Sequence, residues 1–181
     1  SMDKITFHSI VHEYDYVGNK ISTTNERDKK TYYEYDDINR LIKKKNPLLK
    51  ETIYKYDARN KLIEEKNAEE ISTYYDYDDL GRLIRTRAPS SDGYAATTRY
   101  VYDNAGNKIK EIAPNNYVVA KDTPQDVETM TGISYTYNNM NRITAVTLAQ
   151  GNTVEYRKYD ANGNLKKVVD GLSYNGHIET S

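Results

Sequence analysis

The feature of this sequence that most constrains its fold is a motif that recurs seven times. The motif centres on Tyr-x-Tyr-Asp, and the aspartate position is occupied by Asp15, Asp36, Asp57, Asp78, Asp103, Asn138 and Asp160. The first three intervals are each 21 residues, and the later ones are 25, 35 and 22 residues. Self-similarity at a fixed period is typical of proteins in which each repeat forms one supersecondary unit. The chain is therefore predicted to be a repeat protein.

Each copy is predicted to be a β-hairpin. Asp or Asn is favoured at the start of a type I turn, because its side chain accepts a hydrogen bond from a backbone N–H two residues on. Three positions later only Gly or Asn occurs, as a left-handed residue closing a three-residue loop requires. We interpret both positions as structural turn residues rather than as carboxylate pairs for catalysis, since one copy carries an asparagine. They are Asp15, Gly18, Asp36, Asn39, Asp57, Asn60, Asp78, Gly81, Asp103, Gly106, Asn138, Asn141, Asp160 and Gly163.

The turn also predicts the strand register and the fold class. With Asp36 opposite Arg40, we expect Tyr35 to pair with Leu41 and Tyr33 with Lys43. Seven hairpins imply about fourteen strands, and open sheets rarely exceed about ten strands without curling. The predicted fold is therefore all-β, with consecutive antiparallel β-hairpins forming a curved, open sheet or a partial shell or barrel.

Domain boundaries follow from the repeats. Residues 1–11 are expected to hold a cloning scar, Ser1-Met2, and a leading strand, and residues 12–181 to form one repeat domain with an insert near 115–131. Within the insert, Thr123 reads as an N-cap and Pro124 as a first helical residue, which predicts a short helix near 124–130. The insert is more typical of a tolerated decoration than of a functional loop.

Composition argues against most kinds of chemistry. The formal net charge is −1 and there is no cysteine, so we expect no nucleic-acid partner, no disulfide and no cysteine-ligated metal. No segment approaches the apolar length of a membrane span, so no membrane insertion is expected. His8 and His12 lack an apparent third ligand, and Lys43-Lys44-Lys45 is typical of strand lysines that discourage aggregation. We therefore predict no catalytic residue, no metal, no cofactor and no enzyme activity.

Tyrosine is the one unusual residue, with 19 copies against one Phe and no Trp. Its rings must supply most of the large apolar packing surface. The first tyrosines of the motif form a regular series that is explained either by packing or by stacking on sugars, and packing is the simpler interpretation. As candidate carbohydrate-binding residues they are Tyr33, Tyr54, Tyr75, Tyr100 and Tyr135.

From His12 to Val169 the pattern Tyr-x-Tyr-Asp-x-x-Gly-(Asn/Arg)-Leu closely resembles the YD repeats of the Rhs family. That family includes bacterial polymorphic toxins, wall-associated proteins, insecticidal toxin complexes and the animal teneurins. The resemblance implies a spiral of hairpins forming a hollow shell, which encloses a C-terminal toxin in bacterial members and serves adhesion in teneurins. The Asp-Pro segment linked to self-cleavage in the family is not found, so neither autoproteolysis nor toxin activity is carried over.

The expected function is a structural repeat segment of a secreted or cell-surface Rhs-type protein, forming a curved β wall that encapsulates or presents a toxin or partner. Expected partners are the rest of a parent chain or its toxin cargo, with edge-to-edge self-association as a further possibility. The alternative is an extracellular carbohydrate-binding or adhesion module that recognises glycans through exposed tyrosines.

Overall fold

The structure is a computed structural model that describes residues 9–89, 95–151 and 153–170. It contains fourteen β-strands, two short 3-10 helices and one α-helix, α1 (Pro124–Thr129). The 3-10 helices are Pro114–Asn116 and Val119–Lys121. The strands are β1 (Val11–Tyr14), β2 (Lys20–Thr24), β3 (Lys30–Tyr35), β4 (Leu41–Lys45), β5 (Glu51–Tyr56), β6 (Leu62–Lys66), β7 (Ser72–Tyr77), β8 (Leu83–Pro89), β9 (Ala95–Tyr102), β10 (Lys108–Ile112), β11 (Ile133–Tyr137), β12 (Ile143–Thr147), β13 (Thr153–Tyr159) and β14 (Leu165–Asp170).

The strands form one open antiparallel sheet in the order of the sequence, from β1 to β14. Each motif copy supplies one hairpin, so the predicted all-β fold of consecutive antiparallel hairpins is confirmed. The contact pattern divides the chain into two compact units, Ser1–Tyr75 and Asp76–Ser181.

The observed strand register of the hairpins agrees with the predicted register only at the first residue pair after the turn. Tyr35 pairs with Leu41 as predicted, but Glu34 pairs with Lys43 and Tyr33 with Lys44. Ile42 is the extra residue of a β-bulge, which places two residues of β4 opposite one of β3. The same shift occurs next to Tyr14, Tyr56, Tyr102, Tyr137 and Tyr159. The predicted pairing of Tyr33 with Lys43 is therefore wrong, because the loop was taken to be followed by a regular ladder.

A second series of turns lies at the opposite ends of the strands, where successive hairpins are joined. Asn46 begins one of them, and its side-chain oxygen accepts hydrogen bonds from the backbone N–H groups of Leu48 and Lys50. Asn25 and Asn67 act in the same way, each ten residues after a motif aspartate. The left-handed position of these turns is occupied by Asp28, Leu49, Glu70 and Gly151. The amino-acid pattern does not predict this series, because three of these residues are neither glycine nor asparagine.

The hydrophobic core of the described residues is small and lies beneath the insert. Ile112 of β10, Val127 of α1 and Met130 are buried, and Val101 and Tyr117 pack against them. Thr123 accepts a hydrogen bond from the backbone N–H of Asp126, so α1 has the N-cap and the position expected from the sequence. Elsewhere most strand side chains are half-buried, as in a single layer of sheet that is solvated on both faces.

Candidate functional site

The motif aspartates organise the first series of turns. Asp36 accepts hydrogen bonds on Oδ1 from the backbone N–H groups of Ile38 and Arg40, and its carbonyl accepts one from Asn39. Asn39 has φ 62° and Gly81 has φ 75°, in the left-handed region. The other members of the series have the same sign of φ: Gly18, Asn60, Gly106, Asn141 and Gly163. The carboxylates are therefore engaged by the backbone of their own turns.

In five of the hairpins, the second tyrosine of the motif joins the hairpin to the one before it. Its hydroxyl donates a hydrogen bond to the backbone carbonyl of the residue five positions after the preceding motif aspartate. The bonds run from Tyr35 to Lys20 (3.0 Å), Tyr56 to Leu41 (2.8 Å), Tyr102 to Leu83 (2.8 Å), Tyr137 to Lys108 (2.7 Å) and Tyr159 to Ile143 (2.9 Å). Burial raises the pKa of Tyr56 and Tyr102, so these phenols remain protonated donors. Sequence reasoning missed this role, although the constant position of the tyrosine was a usable signal.

In four hairpins the residue four positions after the aspartate makes a second connection, a hydrogen bond to the following hairpin. Arg40 donates from Nε to Asp36 (2.7 Å) and from Nη1 to the side-chain oxygen of Asn60 in the next turn (2.7 Å). Its guanidinium also lies 4.8 Å from the ring centroid of Tyr56. Where asparagine replaces arginine, the contact persists, since Asn19 donates to Asn39 over 2.8 Å. We call one set of residues the hairpin stitch, because its members link neighbouring hairpins. It comprises the motif aspartates, the residues four positions after them and the second tyrosines of the motif.

Ionisation of the aspartates strengthens the hairpin stitch. Hydrogen bonds from the Arg40 backbone N–H and guanidinium lower the pKa of Asp36 in spite of some desolvation. At Asp78 desolvation opposes ionisation, but the bonds from Arg82 outweigh it, and the pKa is again lowered. Both groups are therefore carboxylates at neutral pH and accept charge-assisted hydrogen bonds.

The first tyrosines of the motif lie on the same face as the second ones, because the two are separated by one residue. Tyr33, Tyr54, Tyr75, Tyr100 and Tyr135 are all half-buried. Lysine ammonium groups lie over several of these rings: Lys20 is 5.1 Å from the centroid of Tyr33, and Lys108 is 5.0 Å from that of Tyr135. The rings of the candidate carbohydrate-binding residues are thus partly covered. We call the face of the sheet on which these rings lie the tyrosine face.

The opposite face of the first unit carries cross-strand ion pairs. Lys43 lies 3.3 Å from Glu34 and 4.0 Å from Glu51, and Lys55 lies 2.8 Å from Glu64. The residues between the two tyrosines of each motif point to this face, so the bulge brings Glu64 opposite Lys55. Exposed pairs of this kind add little stability but favour the correct register over slipped ones. Lys43 and Lys45 of the basic run are paired in this way, while Lys44 lies on the tyrosine face.

The most deeply placed charges lie between the insert and the second unit's sheet. Asp122 contacts Nη1 of Arg85 at 2.8 Å and Nε of Arg99 at 2.9 Å, and its side chain is 15% exposed. Asp76 contacts both Arg85 and Arg87. Burial opposes ionisation of Asp122, but hydrogen bonds and the two arginines outweigh it and lower its pKa. The network fixes the insert over β8 and β9.

No metal-binding arrangement of three or more His, Asp or Glu side chains occurs within residues 9–89, 95–151 and 153–170. His12 contacts the Thr23 hydroxyl, whereas His8 and His177 lie outside the described residues. None of the helices in the described part of the chain is long and apolar enough to cross a membrane.

Comparison with known proteins gives a structural likeness only. No protein-family model matches the chain, and no curated protein matches it. The Photorhabdus luminescens Tc holotoxin pore with a TccC3 mutation matches with a TM-score of 0.63 and 19% identity, over 89% of this chain and 9% of that one. The complex TcdB2-TccC3-Cdc42 gives a TM-score of 0.67 and 19% identity over 95% and 10%. The complex TcdB2-TccC3 matches with a TM-score of 0.66 and 17% identity, over 95% of this chain and 10% of that one.

The chain spans about a tenth of the length of these solved chains. At this identity the likeness concerns the fold and not the activity. The chain therefore has the fold of one stretch of the Tc toxin chains, which supports an Rhs-like architecture for its repeats.

Proposed function

We propose that this chain is a structural wall segment of a longer Rhs-type protein, secreted or displayed at the cell surface, that encloses or presents a toxin or another partner. The observation that carries the proposal is the hairpin stitch. In several hairpins the polar groups that the motif repeats join the hairpin to a neighbour, as the Tyr56 hydroxyl does on the Leu41 carbonyl and Arg40 does on Asn60. A motif whose side chains bind one another supports a scaffold rather than a reaction.

The comparisons support the same proposal. The matched proteins are described as a Tc holotoxin pore and as TcdB2-TccC3 complexes, and this chain matches a short stretch of much longer chains. The partners we infer are accordingly the rest of a parent chain and a cargo carried by it. Hydrolytic assays on nucleic-acid, peptide and glycoside substrates are expected to show no turnover, and reproducible turnover by purified protein would overturn the non-enzymatic role.

Protection of the cargo from protease tests the wall role directly. In the full-length parent protein, the cargo is expected to survive trypsin while the wall is intact. The double variant Tyr56→Ala/Tyr102→Ala removes two stitching side chains and should make the cargo sensitive. Tyr16→Ala is the matched control, because Tyr16 is fully exposed. Equal digestion of the cargo in the unaltered protein and in the double variant would contradict the proposal.

The second candidate is a carbohydrate-binding or adhesion module. It is favoured by the tyrosine face of the first unit, where Tyr33 pairs with the exposed Lys44, and Lys44 pairs in turn with Thr52 next to Tyr54. An aromatic ring flanked by polar side chains is a surface on which a sugar could stack. A glycan array with Tyr54→Ala and Tyr75→Ala separates the candidates: binding that these variants abolish, with the fold retained, favours the module, and no binding favours the wall.

A further inference from the structure

Arg142 is a motif arginine without a carboxylate partner in the described part of the chain. Motif arginines lie four positions after the motif aspartate, and Arg40 donates from Nε to Asp36 at 2.7 Å. In the sixth copy the aspartate position is occupied by Asn138, which carries no charge. The other half-buried arginines that the structure describes each contact a carboxylate. Arg142 is also half-buried, and a charge that is removed from water without a partner is unfavourable.

Asn138 presents a hydrogen-bond donor where the other copies present a carboxylate oxygen. Its Oδ1 accepts hydrogen bonds from the backbone N–H groups of Met140 and Arg142, each at 3.0 Å. Oδ1 of Asp36 accepts the equivalent bonds in its own turn. These bonds fix the orientation of the amide, so its nitrogen takes the place of the second carboxylate oxygen. That nitrogen and Nε of Arg142 are both donors, and they need an acceptor from elsewhere.

The guanidinium of Arg142 also lacks the acceptor that a following turn supplies to Arg40. Arg40 donates from Nη1 to Oδ1 of Asn60, but the residue at this position after Arg142 is Gly163. A Cβ at residue 163 would lie 1.3 Å from Nη1 of Arg142, so the guanidinium fills the space of the missing side chain. Nη1 is buried and has no hydrogen-bond partner among the described residues, and the guanidinium lies 5.6 Å from the ring centroid of Tyr159. Packing therefore holds Arg142 in place while its charge remains unpaired.

The carboxylates of the neighbouring turns are already engaged. Asp103, in the preceding motif turn, accepts hydrogen bonds from the backbone and side-chain nitrogens of Asn107. Asp160, in the following motif turn, accepts the same two bonds from Asn164. Each aspartate is thus paired within its own turn, which leaves the donors of the sixth turn without an internal anion.

We propose that the sixth hairpin tip binds a carboxylate group from outside the sheet, between Asn138 and Arg142. The carboxylate accepts hydrogen bonds from the Asn138 amide and from Nε of Arg142, as the motif aspartates do from the arginines of the second and fourth copies. A carboxylate suits these donors because its two oxygens match the planar edge of a guanidinium. Asn139, Met140 and Asn141 are exposed at the tip, so a free acid or an acidic side chain of another protein can reach the site. The inference goes beyond the wall role, since it requires only this turn.

Nuclear magnetic resonance of the isotope-labelled full chain tests the site at neutral pH. The signals of the Arg142 Nε–H group and of the Asn138 side-chain amide are followed while chloride is replaced by acetate at constant ionic strength. Both signals should shift saturably, with a midpoint on the order of 1 mM, because two hydrogen bonds and one charge hold the ligand. Arg40 and Arg82 are internal controls, since their Nε donors are occupied by motif aspartates and should not respond.

Two reciprocal variants test the assignment of the donors. Asn138→Asp supplies the carboxylate from within the turn and should weaken acetate binding by roughly tenfold or more, because Nε of Arg142 becomes occupied and the added charge repels the ligand. Asn139→Asp is the matched control, because it adds the same charge at the next, exposed position and should weaken binding much less. Asp36→Asn should make Nε of Arg40 respond to acetate.

An aspartate residue blocked at both its amino and carboxyl groups distinguishes the two sources of the carboxylate. Tighter binding than acetate indicates a side chain of a protein partner, and equal or weaker binding indicates a free acid. Absence of a saturable shift at Arg142, an equal shift at Arg40 and Arg82, or undiminished binding by Asn138→Asp would each overturn the proposal. The first two results come from the unaltered chain, so they do not depend on the folding of a variant. None of them bears on the protection of cargo, so the two proposals fail separately.

Discussion

Removing a single hydroxyl tests the hairpin stitch most directly. The hydroxyl of Tyr56 donates a 2.8 Å hydrogen bond to the carbonyl of Leu41 in the preceding hairpin. Tyr56→Phe deletes that donor and leaves the ring, its packing and the guanidinium of Arg40 above it in place. The substitution therefore isolates one link between two hairpins.

The expected loss follows from the setting of that bond. A buried or half-buried hydrogen bond contributes about 0.5–1.5 kcal/mol net, and here the Leu41 carbonyl also loses a partner. We expect Tyr56→Phe to lower the free energy of unfolding by about 1 kcal/mol. For a chain of this size, that corresponds to a decrease in Tm of about 2–4 °C.

Urea unfolding followed by circular dichroism and tyrosine fluorescence measures the change. Tyr16→Phe is the control, because Tyr16 is 100% exposed and its substitution should leave stability within experimental error. If Tyr56→Phe and Tyr16→Phe unfold at the same urea concentration with the same slope, the stitch does not stabilise the sheet and the reasoning is refuted.

Three further predictions concern the turns and the insert, each measured by urea unfolding. Gly81→Val should destabilise by about 1–3 kcal/mol, because a β-branched residue is strained at φ 75°, whereas Gly81→Asn should cost far less. Leu49→Asn should stabilise the fold by about 0.5–1 kcal/mol, because Leu49 is 67% exposed and is held at φ 62°, a conformation that asparagine tolerates better. A loss of stability would contradict the inference that the backbone is strained at Leu49. Asp122→Asn should destabilise by about 2 kcal/mol at neutral pH by leaving Arg85 and Arg99 without their carboxylate. Because the pKa of Asp122 is lowered, its contribution to stability is present above about pH 4 and is lost as pH falls through the lowered value. The free energy of unfolding of Asp122→Asn should therefore decrease less at acidic pH than that of the unaltered protein.

The sequence predicted the hairpins well because their turns depend on local chemistry. An aspartate that caps its own turn and a left-handed residue three positions later need no tertiary information, and Asp36 and Asn39 occupy such a turn. The register beyond the turn depends on a bulge at Ile42, which the residue pattern does not reveal. The joining turns were missed because Leu49 and Glu70 adopt a conformation that their own side chains disfavour.

The site was harder to predict than the fold. The regular spacing of the tyrosines was evident, but not which ring would bond to a carbonyl and which would lie beneath a lysine. That distinction depends on the distance between neighbouring hairpins: the Tyr56 hydroxyl reaches Leu41, whereas Tyr33 meets the ammonium of Lys20. The Asp122 network joins residues far apart in sequence, and no periodic signal identifies it.

The nearest-neighbour character of the stitch has a mechanical consequence. Tension applied along the row of strands would act on one tyrosine–carbonyl hydrogen bond and one pair of adjacent strands at a time. It would not act on a hydrophobic core shared by all the hairpins. Hairpins should then detach in succession, each 21-residue repeat releasing about 70 Å of extended chain. Such a material yields in small steps and can be lengthened or shortened by whole repeats without redesigning what remains.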